Sequence, residues 1–295
     1  MSETMRERAR CTVVVLSYNA RAYLEPCLES LEADRQAGRA RVVVVDNGSR
    51  DGSAALVRGR FPGVELLELP RNVGFSAGNN AALARCESEY ALLLNPDTEA
   101  RAGAIQRLVA FMDETPRCAV VGPRLVNPDG SRQLSCRSFP GYKTAFFNRY
   151  SLLTRWFPEN RHSRDYLMSS LEATEPMEVD WVSGAAMMVR RGHGRSGSLD
   201  ERFFMYAEDV DWCYRFKAAG WEVWYEPRAE ILHHIGGSSA SLPVRSLLER
   251  HRSRYYFNRK HYSRGVPILD LMVAVGVLVR LLVHLPGARR GRSAP

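Results

Sequence analysis

Residues 91–99 read Ala-Leu-Leu-Leu-Asn-Pro-Asp-Thr-Glu (ALLLNPDTE), and their reading decides the fold. Leu92, Leu93 and Leu94 form an apolar run that stops at the polar bend Asn95-Pro96-Asp97. A short apolar run bounded by turn residues is the pattern of a strand buried in a parallel sheet. Ligands of open α/β sheets sit in the crevice beyond the strands' carboxyl ends, so Asp97 would emerge where a carboxylate can hold a cation. Taken alone, the nine residues are better explained by a plain strand-to-helix turn, with Thr98 or Asp97 capping the next helix.

Outward from this stretch the same grammar repeats. Thr12–Leu16 (TVVVL) reads as a strand ending at Ser17-Tyr18-Asn19, and Leu24, Cys27, Leu28 and Leu31 recur at helical spacing, with Pro26 tolerable in the first turns. Arg41–Val45 (RVVVV) is a second strand, ending at Asp46-Asn47-Gly48-Ser49. Val64–Leu69 is a third, weaker one, ending at Pro70-Arg71-Asn72 before the Gly- and Asn-rich VGFSAGNNAALARC leads into a helix. Tyr90–Leu94 is the fourth strand, and Ile105, Leu108, Val109 and Met112 mark the helix after it. This alternation predicts an α/β fold with a parallel, doubly wound sheet. Right-handed crossovers bring all four strand ends to one edge, so Ser17–Asn19, Asp46, Arg71-Asn72 and Asp97 share one crevice. Neither GxGxxG after the first strand nor GxxxxGK occurs, which removes the dinucleotide and P-loop readings. A nucleotide site without a glycine cradle remains. Asp46 can accept from a base N–H, Arg71 can meet phosphate, and Asp97 can bind a divalent cation that bridges phosphates.

The second half changes character. Phe139–Met168 mixes aromatics with Arg and Lys without a period, which suits either an acceptor-side loop or a plain packing insertion. Val179–Arg190 (VDWVSGAAMMVR) resumes as strand around a Ser183-Gly184-Ala185-Ala186 bend, and Arg191–Ser198 is a polar loop. Phe203–Lys217 (FFMYAEDVDWCYRFK) reads as a helix in which Asp211 pairs with Arg215 at i,i+4. Asp209 is left without a local partner, beside Glu208 and Asp211, and is a candidate general base. A charged helix start that complements the dipole is the competing reading. Trp221–Tyr225 and Glu230–Ser239 supply strand and turn around His233-His234, an adjacent pair that can serve a metal-phosphate site or simply pack. Arg245–Lys260 is a basic helix. Val266–Leu285 is an apolar run broken by Asp270, Arg280 and His284 and followed by Arg289, Arg290 and Arg292. It fits a helix lying in a membrane surface better than one packed on the protein or spanning a bilayer.

Composition narrows the partners. The 295 residues carry a formal net charge of +8 and an ordinary 45% hydrophobic content. That charge calls for an anionic partner, such as nucleotide phosphates or acidic lipid headgroups. No helix-turn-helix, zinc-finger or aromatic RNA-binding signature supports nucleic acid. The six cysteines form no CxxC pair and read as buried free thiols of a reducing compartment. The N-terminal MSETMRERAR has no apolar stretch of a secretory signal, so the expected location is the cytoplasm or the cytoplasmic face of a membrane.

Seven motifs in order then resemble the family 2 inverting glycosyltransferases of the GT-A fold, and within them the bacterial rhamnosyltransferase-like branch. They are VVVLSYNA at Val13–Ala20, VVVVDNGSRDGS at Val42–Ser53, RNVGFSAGNN at Arg71–Asn80, LLLNPDTE at Leu92–Glu99, VDWVSGAAMMVRR at Val179–Arg191, DERFFMYAEDVDWCYR at Asp200–Arg215 and HIGGSS at His234–Ser239. The resemblance implies a Rossmann-like, mostly parallel sheet with helices on both faces and a C-terminal helical extension. It divides the chain into a nucleotide-sugar half (1–125), an acceptor and catalytic half (126–240) and C-terminal helices (241–295). Ser17, Tyr18, Asn19, Asp46, Arg71, Asn72, Gly74, Asn95 and Asp97 would bind the nucleotide-sugar, with Asp46 on the base. Asp97 matches the last acid of a metal-binding DxD that here reads Asn95-Pro96-Asp97, so a single carboxylate remains for Mg²⁺ or Mn²⁺. His234 matches the metal-side histidine, ambiguous by one place with His233. Asp209, beside Glu208, matches the catalytic base. The implied reaction moves rhamnose from a dTDP donor to a glycan or lipid-linked acceptor in cell-wall or polysaccharide synthesis. UDP-galactofuranose or UDP-hexosamine donors, or a non-catalytic sugar-nucleotide-binding protein, are the alternatives. A pyrophosphorylase would need a Gly-rich triphosphate loop and a phosphate-binding Lys, which are absent. Gly192–Ser198 (GHGRSGS) departs from the short helix usual in the family.

Overall fold

A computed structural model describes residues 9–140, 174–192, 197–234, 243–263, 266–268, 270, 271 and 273–278. Four parallel strands open the fold: β1 (Cys11–Ser17), β2 (Ala40–Asp46), β3 (Glu65–Glu68) and β4 (Tyr90–Leu94), in the spatial order β3-β2-β1-β4. Helices α1 (Arg21–Gln36), α2 (Ser53–Arg60) and α3 (Phe75–Leu83) make the crossovers. The strands are apolar on both faces because both are covered. Val13, Val15, Val42, Val44, Leu92 and Leu94 pack with Leu24, Cys27, Leu28 and Leu31 of α1, the spacing seen in the sequence. Val14, Val43, Val45, Ala91 and Leu93 face the opposite layer, which includes Ala82 and Leu83 of α3.

The second half completes the same sheet rather than building its own. Strands β6 (Cys118–Val126), β10 (Ala186–Arg190) and β11 (Glu222–His233) extend it in the order β4-β10-β6-β11, with β10 antiparallel to both neighbours. The short strand β5 (Thr98–Ala100) closes the edge antiparallel to β11. Met177–Glu178 (β8) also pairs with β11, and Cys136–Arg137 (β7) forms a separate two-stranded ladder with Trp181–Val182 (β9). The sheet is therefore mixed and mostly parallel.

Three expectations change and one strand is new. Thr98 and Asp97 do not cap a helix: Thr98 enters β5, its hydroxyl donates to the Asn95 carbonyl at 2.7 Å, and α4 (Ala104–Glu114) starts later, after Gly103 at φ 82°. β6 was invisible in the sequence because Gly122-Pro123 interrupts it. Gly122 is needed there, since a Cβ would lie 2.6 Å from Cβ of Val182. The helix expected from Phe203 begins only at Glu208 (α5, Glu208–Ala218). Trp221–Tyr225 and Glu230 onward belong to one strand, β11, irregular between Glu226 and Glu230. Residues 141–173, and with them nearly all of the Phe139–Met168 segment, lie outside the described residues, as do 193–196, 235–242 and 279–295. All six cysteines are free, and five are buried. Burial pushes the Cys11, Cys27 and Cys118 thiols up to about 12, so they are inert packing groups. Among the described residues no helix is long and apolar enough to cross a membrane.

Candidate active site

A cavity of about 280 Å³ opens at the carboxyl ends of β1, β2 and β4. Tyr18, Asn72, Gly74 and Asn95 line it from the first half, and Glu208, Asp209 and His233 from the second. The structure thus brings together seven of the residues singled out in the sequence. Ser17, Asp46 and Asp97 are buried but do not line the cavity, and neither do Asn19 nor the exposed Arg71.

Asp46 ends β2 with one carboxylate oxygen accepting from the Ser49 amide at 3.1 Å. Its other oxygen, and the hydroxyl of Ser17, are buried without a hydrogen-bond partner among the described residues. Buried polar atoms are costly unless paired, so a ligand donor is their natural complement. Asn19 holds its loop at φ 49°, with its side-chain oxygen accepting from the Arg50 amide at 2.8 Å. Asn47 ties two strand exits together: its amide donates to Asn72 Oδ1 at 3.1 Å and to the Gly74 carbonyl at 3.2 Å, and its oxygen accepts from the Val73 amide at 2.9 Å. Gly74 at φ 93° cannot carry a side chain, because a Cβ would fall 2.6 Å from the Phe204 carbonyl oxygen.

At the end of β4, the Asn95 amide donates to the Ala185 carbonyl at 2.9 Å, which ties the bend to the start of β10. Asp97 lies in the next turn, 2% exposed. The β5–β11 ladder sets His233 opposite Thr98, which brings His233 Nε2 to 3.6 Å from Asp97 Oδ1. Gln133 orients that imidazole: its side-chain oxygen is 2.8 Å from His233 Nδ1, and its amide donates to the His233 carbonyl at 2.7 Å. His234 points elsewhere. Its Nε2 is 2.9 Å from Glu99 Oε1, and its ring lies 5.7 Å from that of Tyr23. The imidazole of His233, rather than that of His234, faces the Asp97 carboxylate, while the His234 backbone amide donates to the Asp97 carbonyl at 2.8 Å.

The acidic pair enters from α5. Tyr206 (φ 70°) and Ala207 (φ 63°) are consecutive left-handed residues that turn the chain sharply into the helix. Asp209 Oδ2 accepts from the Gly184 amide at 3.0 Å, and Oδ1 from the Val210 amide at 2.8 Å. Glu208 is buried, and its Oε2 has no partner among the described residues. Burial raises both carboxyls above the ordinary range, and the Asp209 charge raises Glu208 further. The two amide bonds work against burial at Asp209, so it is the easier of the two to ionise.

Asp211 has a different duty. It makes the expected ion pair with Arg215 at 2.9 Å and accepts from Lys260 at 2.6 Å and His261 at 2.7 Å. Burial pushes its carboxyl up, yet the bonds from His261 and Lys260 bring it below the usual range. These last two residues belong to a π-helical turn, Arg259–Ser263, that follows helix α6 (Pro243–Asn258). Helix α6 supplies Arg245, Ser246 and Glu249 to the cavity wall. Reading the sequence missed this role, as it missed Asn47 and Gln133. Asn47 had a signal in its place directly after Asp46, whereas α6 showed only basic character.

The comparisons with known proteins agree with this fold. The model of the family described as "Glycosyl transferase family 2" matches residues 12–170. The chain is 33% identical over 263 residues to an N-acetylglucosaminyl-diphospho-decaprenol L-rhamnosyltransferase of Mycobacterium tuberculosis, covering 85% of this chain and 84% of that one. It is 24% identical over 232 residues to the rhamnosyltransferase WbbL of Escherichia coli, covering 75% and 82%. The mannosyltransferase PcManGT from Pyrobaculum calidifontis, solved in complex with GDP-Man and Mn²⁺, has the same fold at a TM-score of 0.57 and 17% identity, covering 97% of this chain and 74% of that one. With the family model spanning more than half of the chain and a relative this similar along most of its length, the chain belongs to glycosyl transferase family 2.

Proposed function

We propose that the chain is an inverting hexosyltransferase that moves L-rhamnose from a dTDP donor to a hydroxyl of a lipid-linked glycan. The observation that carries this reading is Asp209: a carboxylate aimed by the Gly184 amide, in the same cavity as Tyr18, Asn72 and His233. The mycobacterial relative's name supports the sugar and the lipid diphosphate acceptor.

In this mechanism Asp46 accepts a hydrogen bond from the base, and the Asn47–Asn72–Gly74 tie shapes the wall along which the donor lies. Asp209 takes the proton from the acceptor hydroxyl as its oxygen attacks the anomeric carbon. The bond to the nucleoside diphosphate breaks on the opposite face, which inverts the centre. Such general-base assistance is worth about 10²–10⁴-fold. Asp97 and His233 would hold a divalent ion, which when bound offsets charge on the diphosphate. The fit is partial, since no group of three or more metal-ligating side chains occurs among the described residues. One carboxylate and one imidazole would hold such an ion weakly on their own, which suits a site that the bound donor completes.

The test is a donor screen with dTDP-L-rhamnose and several UDP-sugars, with and without Mg²⁺ or Mn²⁺, on an N-acetylglucosaminyl-diphospho-lipid acceptor. Metal-dependent product with dTDP-L-rhamnose supports the reading. Product from a UDP-sugar alone replaces the donor, and binding without turnover of any donor rejects the enzyme.

A further inference from the structure

The C-terminal helical segment leaves an apolar stripe exposed among its described residues. Among the described residues of 266–278, Val266 is 45% exposed, Ile268 62%, Leu271 60%, Val275 52% and Leu278 54%, while Val273 and Val277 are half-buried. The polar residue faces inward. Asp270 is 3.3 Å from Arg259 Nε and accepts a hydrogen bond from the Ser263 hydroxyl, both in the π-helical turn. At about 100° per residue, Ile268, Leu271, Val275 and Leu278 fall within a stripe roughly 80° wide, and Asp270 lies about 120° from its centre. A helix folded only for water does not leave such a stripe uncovered. Leu248 of α6 adds a further apolar residue, 46% exposed.

Cations accompany this stripe. Arg250 and Arg252 of α6 are exposed, the side chain of Arg259 is 57% exposed while paired with Asp270, and three further arginines follow in sequence at 289, 290 and 292. The chain as a whole carries +8. A second copy seated here would set arginines against arginines, whereas acidic headgroups complement them.

From this exposed stripe and the arginines beside it in sequence we infer that the described residues of 266–278 and the exposed side of α6 form a docking surface for an anionic lipid bilayer. The apolar stripe enters the headgroup and acyl boundary in plane, and the arginines stay at phosphate level. Because α6 also lines the cavity through Arg245, Ser246 and Glu249, this seat puts the site within about one helix diameter, roughly 10 Å, of the lipid surface. An acceptor carried on a membrane lipid then reaches Asp209 without leaving the bilayer. The surface itself does not depend on the sugar or the chemistry proposed above.

The experiment is co-sedimentation of the full chain with phosphatidylcholine vesicles, with and without phosphatidylglycerol. Wild type should pellet with the anionic vesicles, and less so with neutral vesicles or raised salt. Leu271→Glu with Val275→Glu should weaken that binding at least about tenfold, because each substitution removes an apolar side chain that the bilayer would bury and adds a like charge to the headgroups. Arg252→Glu should weaken it less, and only on anionic vesicles. All variants should keep wild-type thermal unfolding and dTDP titration, since the changed side chains are exposed. The inference is overturned if wild type stays in the supernatant or if the double variant binds as well as wild type. It is equally overturned if wild type is a dimer in free solution that the double variant converts to a monomer, because a second copy then covers the face. Vesicle binding is read without substrate, so failed glycosyl transfer leaves it standing.

Discussion

The carboxylate of Asp209 hangs from the backbone amide of Gly184, 3.0 Å from N–H donor to Oδ2 acceptor. The acid at the start of α5 is thus aimed by the bend that precedes β10. Asp209→Asn keeps the shape but removes the base, so kcat should fall about 10²–10⁴-fold with little change in dTDP affinity. A variant retaining near-wild-type kcat in a single-turnover assay would remove Asp209 from the mechanism.

Gly184 offers a finer test of the same relationship. A Cβ there would sit 3.4 Å from Cβ of Asp209 and 3.5 Å from Cζ of Phe75, so alanine fits but valine does not. Gly184→Ala should keep most activity, whereas Gly184→Val should lose kcat by about tenfold or more through a misplaced base. Equal activity in the two variants would show that the base tolerates displacement.

The acidic pair predicts opposite pH trends for stability and turnover. Glu208 and Asp209 titrate above the ordinary carboxylate range in the folded chain because they are buried. Their contribution to folding is therefore complete below the unfolded values, near pH 4, and is lost as pH rises through the folded ones. Glu208→Gln should stabilise the chain at neutral pH by on the order of 1–2 kcal/mol, a gain that fades toward pH 4 in thermal melts. Turnover moves the other way, rising with pH as Asp209 ionises.

Asp97, His233 and His234 separate cleanly in a binding experiment. Asp97→Ala and His233→Ala should each weaken Mn²⁺-dependent dTDP binding by about tenfold or more, on the scale typical for a lost metal ligand or its support. His234→Ala should not, because its ring is engaged with Glu99. Calorimetric titration in matched Mn²⁺ and chelator buffers reads the difference, and the reverse ranking would return the role to His234.

Asp211 predicts a stability loss rather than a chemical one. Asp211→Asn leaves Lys260, His261 and Arg215 without their shared anion and should cost about 2–4 kcal/mol. Urea melts at neutral pH measure this directly. A loss under 0.5 kcal/mol, roughly that of an exposed ion pair, would mean that the C-terminal helices are held by other contacts.

The parts of the fold legible in the sequence were those governed by local pattern. Val13–Val15, Val42–Val45 and Leu92–Leu94 announce buried parallel strands because no solvent face interrupts their apolar runs. The Asp211–Arg215 pair follows from helical spacing alone. Features set by tertiary contact were not legible. Strand β6 carries Gly122-Pro123 in its middle, and only the proximity of Val182 explains the glycine. Thr98 looked like a cap because the partner that makes it a strand, His233, lies more than a hundred residues away. The start of α5 was misplaced because left-handed Tyr206 and Ala207 contradict the propensity of both residues. The α6 wall of the cavity depends on how a distant helix returns to the sheet, and neither charge nor period in its sequence records that.

Strand β10 slots antiparallel between β4 and β6, and this has a consequence for how the chain is made. When β1–β4 have left the ribosome, β4 is a bare edge with unpaired backbone groups and fully apolar faces. Its partner is translated about ninety residues later, a delay of roughly 5–20 s at ordinary synthesis rates. During that interval the nascent half-sheet is a template for any passing strand, including the same edge of another nascent chain. Soluble yield on overproduction is expected to fall as this interval lengthens. Slower translation lengthens it, and a chaperone that covers the edge of β4 shields it until β10 arrives.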